Sequence, residues 1–98
     1  MATFILLSSL TDDGAQTIKE EPERIKAVNQ EIERMGVRVL NQWAVLGGYD
    51  FVNVVEAPDL LTIARVSAEL SSRGTVRITT LPAIPIDEFI AGLVRRDT

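Results

Sequence analysis

Apolar and polar positions along this chain change period several times, and each change marks an element. Residues 3–10 carry Phe4, Ile5, Leu6 and Leu7 in succession, so neither strand face is polar, as in a central strand buried on two sides. Thr11, Asp12, Asp13 and Gly14 read as a turn, with a short helical piece over 15–21. Pro22 suits the first position of a longer helix, where its missing N–H costs nothing. From there Ile25, Val28, Ile32 and Met35 recur at helical spacing until Gly36 stops them. Residues 37–45 and 51–56 are rich in β-branched and aromatic side chains, and Gly47-Gly48 between them predicts a two-residue type I′ hairpin. That loop sets Val45 opposite Asp50. Strand pleat then groups Asn41, Trp43, Val45, Asp50, Val52 and Val54 on one face, and Leu40, Gln42, Ala44, Tyr49, Phe51, Asn53 and Val55 on the other.

After Pro58, Asp59 is placed to cap a helix whose apolar side is Leu60, Ile63, Ala64, Ser67, Ala68 and Leu70. Residues 71–74 end it, and the alternating stretch 75–81 is the last strand, with Pro82 and Pro85 barring its continuation as an inner strand. A tail helix over 86–96 has Asp87 and Glu88 at its start, Arg95 and Arg96 at its end, and an apolar stripe of Phe89, Ile90, Leu93 and Val94. The order strand, helix, strand, strand, helix, strand is the split βαβ of α+β ferredoxin-like folds: an antiparallel βαββαβ sheet with helices on one face, plus the C-terminal helix. The other sheet face is left open and apolar, which predicts an interface. Twofold face-to-face packing in a homodimer, or a higher homo-oligomer, would cover it.

The chain has 98 residues, one domain's worth over 1–98, and a small core that gains from association. Net charge is −4 and no basic cluster exceeds the pair Arg95-Arg96, which argues against nucleic acid. With neither histidine nor cysteine, a Ser-His-Asp triad, a thiolate nucleophile and the usual zinc sites are excluded. No apolar run is long enough for a membrane span and no secretory signal is visible, so a cytoplasmic location is expected. Asp12-Asp13 lacks the further oxygen ligands of a calcium loop, so no metal is expected, and no cofactor motif is present.

Gly48-Tyr49-Asp50, within Leu46-Gly47-Gly48-Tyr49-Asp50, resembles the signature of the GYD-domain family. The similarity extends to Glu56-Ala57-Pro58-Asp59, to Thr11 and Gly14, to Lys19, Pro22 and Arg24, and to Gly74-Thr75-Val76-Arg77 with Thr80-Leu81. It covers almost the whole chain. The resemblance implies a ferredoxin-like domain of the dimeric α/β-barrel type and supplies no function. Thr75, Ile78, Thr79 and Pro82 depart from the family pattern, which places polar or charged residues there more often.

Candidate chemistry centres on the hairpin. Tyr49 is a candidate hydrogen-bond or proton donor and Asp50 a candidate base, against the plainer reading in which Asp50 binds turn amides and Tyr49 packs at a strand start. Lys19 and Arg24 flank a helix start that suits an anion, against solvated charges among Glu20, Glu21 and Glu23. Trp43, Asn41 and Asn53 are candidates to line a cleft between sheet and helices, although a lone tryptophan is more often core or interface. The leading expectation is a homo-oligomer that binds a small organic or anionic ligand near Lys19, Arg24, Trp43, Tyr49 and Asp50. A cofactor-independent enzyme (isomerase, decarboxylase or oxygenase) would need Asp50 or Glu56 as a raised-pKa carboxylate, with Tyr49 beside it. A third reading is a protein-interaction module that uses the sheet face or the tail helix. The sequence leaves catalysis open.

Overall fold

The apolar N-terminal stretch becomes the central strand of the sheet. A computed structural model describes residues 1–94, in the order β1 (Ala2–Leu10), α1 (Asp12–Glu20), α2 (Arg24–Arg34), β2 (Arg38–Ala44), β3 (Phe51–Ala57), α3 (Leu60–Ser71), β4 (Val76–Ala83) and α4 (Ile86–Val94). The strands pair antiparallel as β2-β3-β1-β4, the ferredoxin-like order. Phe4, Leu6, Val55 and Ala57 on one sheet face meet Ile32 of α2 and Ile63, Val66 and Leu70 of α3, and Val37 completes this buried core.

Several boundaries differ from the sequence reading. Thr11-Asp12-Asp13 is not a free turn but the cap and first turn of α1. Thr11 Oγ1 accepts from Gly14 N at 3.2 Å, and the two aspartates sit at the positive end of the helix. The cap is also tied to the start of β4: Thr11 N donates to Thr75 O and Thr11 Oγ1 to Gly74 O. Gly14 is buried there against the backbone of Thr75. Asp59 caps α3 as expected, accepting from Thr62 N at 2.8 Å, and these bonds hold its carboxyl below the usual range.

The hairpin keeps the expected register: Val45 N donates to Asp50 O, Trp43 faces Val52 and Gln42 faces Asn53. It is not a type I′ turn, because only Gly47 has positive φ (119°) while Gly48 does not. A register shift between Val39 and Asn41 is the other difference. Leu40 is the extra residue, so Val39 rather than Leu40 lies opposite Val55 and packs against the core. The two halves of β2 thereby present Val39 and Gln42 to the same sheet face. β4 runs through Pro82 to Ala83, which an edge strand tolerates. The expected extension of the tail helix to Arg96 lies outside the described residues.

The opposite sheet face carries Ile5, Leu7, Val52, Val54, Leu81 and Trp43, none of them buried. α4 makes no substantial contact with any other element, and none of its residues is buried. The molecule is elongated, 57 × 28 × 19 Å, with a radius of gyration of 15.3 Å. A compact domain of this length is expected near ~13 Å.

Candidate functional site

The helix-covered sheet face is only half filled by the core. Beyond Leu6, residues of β1, β3 and β4 and the inner sides of α1 and α2 line a partly open cavity of about 290 Å³. Most of its wall is apolar, from Leu6, Leu10 and Phe51 below to Ile18, Ile25 and Val28 above. Gly14 and Thr17 line it from α1.

A polar patch interrupts this wall. Leu6, Asn53 and Gln42 are cross-strand neighbours on one row of the sheet. Gln42 and Asn29 of α2 exchange two amide hydrogen bonds, Asn29 Nδ2 to Gln42 Oε1 at 2.7 Å and Gln42 Nε2 to Asn29 Oδ1 at 3.2 Å. Asn53 beside them is 9% exposed, and its Oδ1 has no partner among the described residues. Buried Ser8 lies one row further along β1 and also lines the cavity. A buried orphan carbonyl is unusual, because desolvating it without compensation is costly.

Two arginines are the ionisable side chains of the lining. Arg73, in the turn that follows α3, is neutralised. Its guanidinium holds Glu31 of α2 through two hydrogen bonds, one of 2.9 Å, and bonds Glu69 at 3.1 Å. The Arg73 hydrogen bond pulls Glu31 below the ordinary carboxylate range and raises the guanidinium in return. Because the folded-state pKa of Glu31 is depressed, the pair stabilises above the ordinary carboxylate pKa, and that gain is lost as pH falls through the lowered value. Both partners are about a third exposed, so the gain is small. Arg24, at the start of α2, has no ion pair among the described residues.

The residues singled out from sequence do not converge on this cavity. Of Lys19, Arg24, Trp43, Tyr49 and Asp50, only Arg24 lines it. Trp43 and Asn41 belong to the open sheet face, opposite Val52 and Val54, as the pleat grouping places them, whereas Asn53 lies on the cavity side. Trp43 is therefore 51% exposed on the far side of the sheet from the cleft it was expected to wall. Glu56 pairs in register with Thr3 and Arg38, again on the open face. Tyr49 is 39% exposed beside the hairpin tip.

Asp50 bonds, through its carboxylate, a backbone amide of the neighbouring strand β1 rather than one in the turn. Its Oδ2 accepts from Leu10 N at 2.8 Å, while its own N–H donates to Ser8 O. The carboxylate thus satisfies the last amide of β1, where β3 has run out. Asp50→Ala leaves that amide unpaired and lowers stability by about 1–2 kcal/mol. Asp50→Asn keeps an acceptor oxygen and loses less than half as much, which urea unfolding of both variants will read.

Ser8, Asn29 and Gln42 escaped the sequence reading. Asn29 carried a signal: it stands at the i+4 position from Ile25 and three before Ile32, inside the apolar stripe of α2, where a polar side chain needs a buried partner. Among the described residues no group of three or more acidic, histidine or cysteine side chains is arranged to hold a metal, and no helix is long and apolar enough to cross a membrane.

A four-stranded antiparallel sheet with helices on one face and an apolar open face defines a ferredoxin-like domain of the α/β-barrel type. The chain belongs to the GYD domain family, which it matches over residues 4–93. It is 63% identical over 94 residues to a Thermus thermophilus protein described as "Glutamine synthetase and cystathionine beta-lyase binding protein", covering 95% of this chain and 99% of that one. Among solved structures it resembles TTHA0845, also of Thermus thermophilus, at a TM-score of 0.55 and 25% identity over 87% of this chain and 95% of the other. It also shares its fold with a chlorite dismutase candidate, TA0507, at a TM-score of 0.52 and 20% identity over 97% of this chain and 49% of the other.

Proposed function

We propose that this domain is a homodimeric binding protein for metabolic enzymes of the glutamine synthetase and cystathionine β-lyase kind. The observation that carries the reading is α4. Ile86, Phe89, Ile90, Leu93 and Val94 are each 46–70% exposed, and the helix makes no substantial contact with another element among the described residues. An amphipathic helix with an uncovered apolar stripe is a recognition element that docks into a groove of another protein. Its relative of 63% identity is described by the two enzymes that it binds, which supports the same role here. The open sheet face is the second uncovered surface. It is assigned to a twin subunit, because a flat apolar sheet is self-complementary about a twofold axis.

The test uses the full chain and glutamine synthetase from the same organism, with binding followed by calorimetry or native mass spectrometry. Ile90→Glu with Leu93→Glu abolishes the complex and leaves the domain's own subunit number unchanged. Undiminished enzyme binding by that double variant would remove α4 from the interface. Absence of binding by the unmodified chain to both enzymes would end the reading itself.

A further inference from the structure

We infer that the cavity between the sheet and helices α1 and α2 is a binding site for a small, mainly apolar molecule that ends in a carboxylate or carboxamide. The inference rests on neither the enzyme-binding nor the dimer reading. Three properties of the cavity carry it.

First, the space is built rather than accidental. At about 290 Å³ it reaches the lower end of the range in which small ligands bind, and it adjoins a closely packed core. Second, its floor holds an amide oxygen without a partner. Asn53 is about nine-tenths buried, and its Oδ1 has no partner among the described residues. A half-turn of the carboxamide exchanges its two ends, so the same side chain can offer a guest an acceptor or a donor. Asn29 and Gln42 next to it are locked to each other, and each keeps one further N–H and one further lone pair. A planar oxygen-bearing group finds complementary partners there, and a hydrocarbon does not. Third, the charge is one-sided. The lining contains no carboxylate, Arg73 is compensated by Glu31 and Glu69, and Arg24 is unpaired among the described residues. A cation entering this site finds no carboxylate of the lining to pair with, whereas a monoanion finds Arg24 and a neutral amide needs neither.

A core position occupied by an orphan amide is a stability liability unless something fills the bond. Leucine is close to asparagine in shape and would pack against Leu6 and Phe51 without one. On the ligand reading, Asn53→Leu therefore raises the melting temperature of the free protein while removing its binding capacity.

Three probes with one apolar body separate the possibilities: phenylacetate, phenylacetamide and phenethylamine, titrated in the millimolar range into the ¹⁵N-labelled full chain. Phenylacetate and phenylacetamide shift the side-chain amide signals of Asn53, Gln42 and Asn29, and phenethylamine does not. Arg24→Gln weakens phenylacetate about two- to fivefold, the value of an exposed ion pair, and leaves phenylacetamide unchanged. Asn53→Leu abolishes both responses without lowering the melting temperature. The inference is overturned if phenethylamine binds as well as the other two. It is equally overturned if the shifts fall on the open sheet face or α4 instead, or if the unmodified protein responds to none of the three. The unmodified protein decides the matter if Asn53→Leu does not fold.

Discussion

Gly14→Ala unfolds at a markedly lower temperature than the natural chain, although alanine is the better helix former. Position 14 lies inside α1, so helix propensity alone favours alanine by up to about 1 kcal/mol. Packing decides the other way. A Cβ at this position would sit 1.9 Å from the carbonyl oxygen of Thr75 and 2.9 Å from its carbonyl carbon. Those are backbone atoms and cannot rotate aside. Thr75 O also accepts from Thr11 N, so moving it breaks the tie between α1 and the start of β4. Overpacking against backbone costs about 1–3 kcal/mol or more, and loss of the tie adds to it. We expect a net fall of about 2 kcal/mol, or roughly 10 °C in melting temperature for a domain of this size. Differential scanning calorimetry reads it directly, and an unchanged melting temperature would mean that α1 rides further from the sheet than described. Gly47→Ala is the control: nothing lies within 4 Å of its added Cβ, and only its positive φ resists the change.

Leu7→Glu separates the subunits of the proposed dimer and leaves each one folded. Leu7 lies at the middle of the central strand, in register with Val52 on one side and Thr79 on the other, on the face away from the helices. In a lone subunit its carboxylate reaches water at little expense. About a twofold axis it would be buried twice against Ile5, Val52 and Val54, with no cation in that row to meet it. Burying an unpaired charge costs several kcal/mol, so dimer affinity falls by a factor of at least about a hundred. Analytical ultracentrifugation detects the monomer, and far-ultraviolet circular dichroism verifies that the sheet survives. A Leu7→Glu protein that still sediments as a dimer would place the contact elsewhere, on α4 or a sheet edge. Thr79→Glu, on the outer strand of the same face, has a smaller effect because its side chain can turn outward to solvent.

The fold was legible because its signals are local. The apolar run of β1, the double glycine at the hairpin, the Pro58-Asp59 corner and the helical spacing from Ile25 to Ile32 each depend on neighbouring residues. The misreadings arose where one local pattern serves two purposes. Thr11-Asp12-Asp13-Gly14 has the composition of a turn and of a helix start, and only the contact with the distant Thr75 selects the second. The neighbouring apolar pair Val39-Leu40 marks a slip in the alternation of β2, which regular pleating cannot represent. The candidate site was less legible. Tyr49 and Asp50 stand out in the sequence because a tight turn needs special residues. The cavity is assembled from Ser8, Asn29, Gln42 and Asn53, which come from four separate elements and look like ordinary polar residues one at a time.

The two margins of the sheet carry a consequence for how this protein can aggregate. β2 is kinked by the extra residue at Leu40, and β4 contains Pro82, which has no N–H to offer a neighbouring chain. Neither rim presents the straight, unbroken ladder on which further strands could be templated. Growth of a continuous ribbon from chain to chain is thereby obstructed at both ends, and the adhesive surface that the sheet itself retains is its flat side. A surface used once about a symmetry axis is exhausted by one twin. The same irregularities that complicate β2 and β4 therefore favour an assembly that terminates itself over one that extends into a fibre.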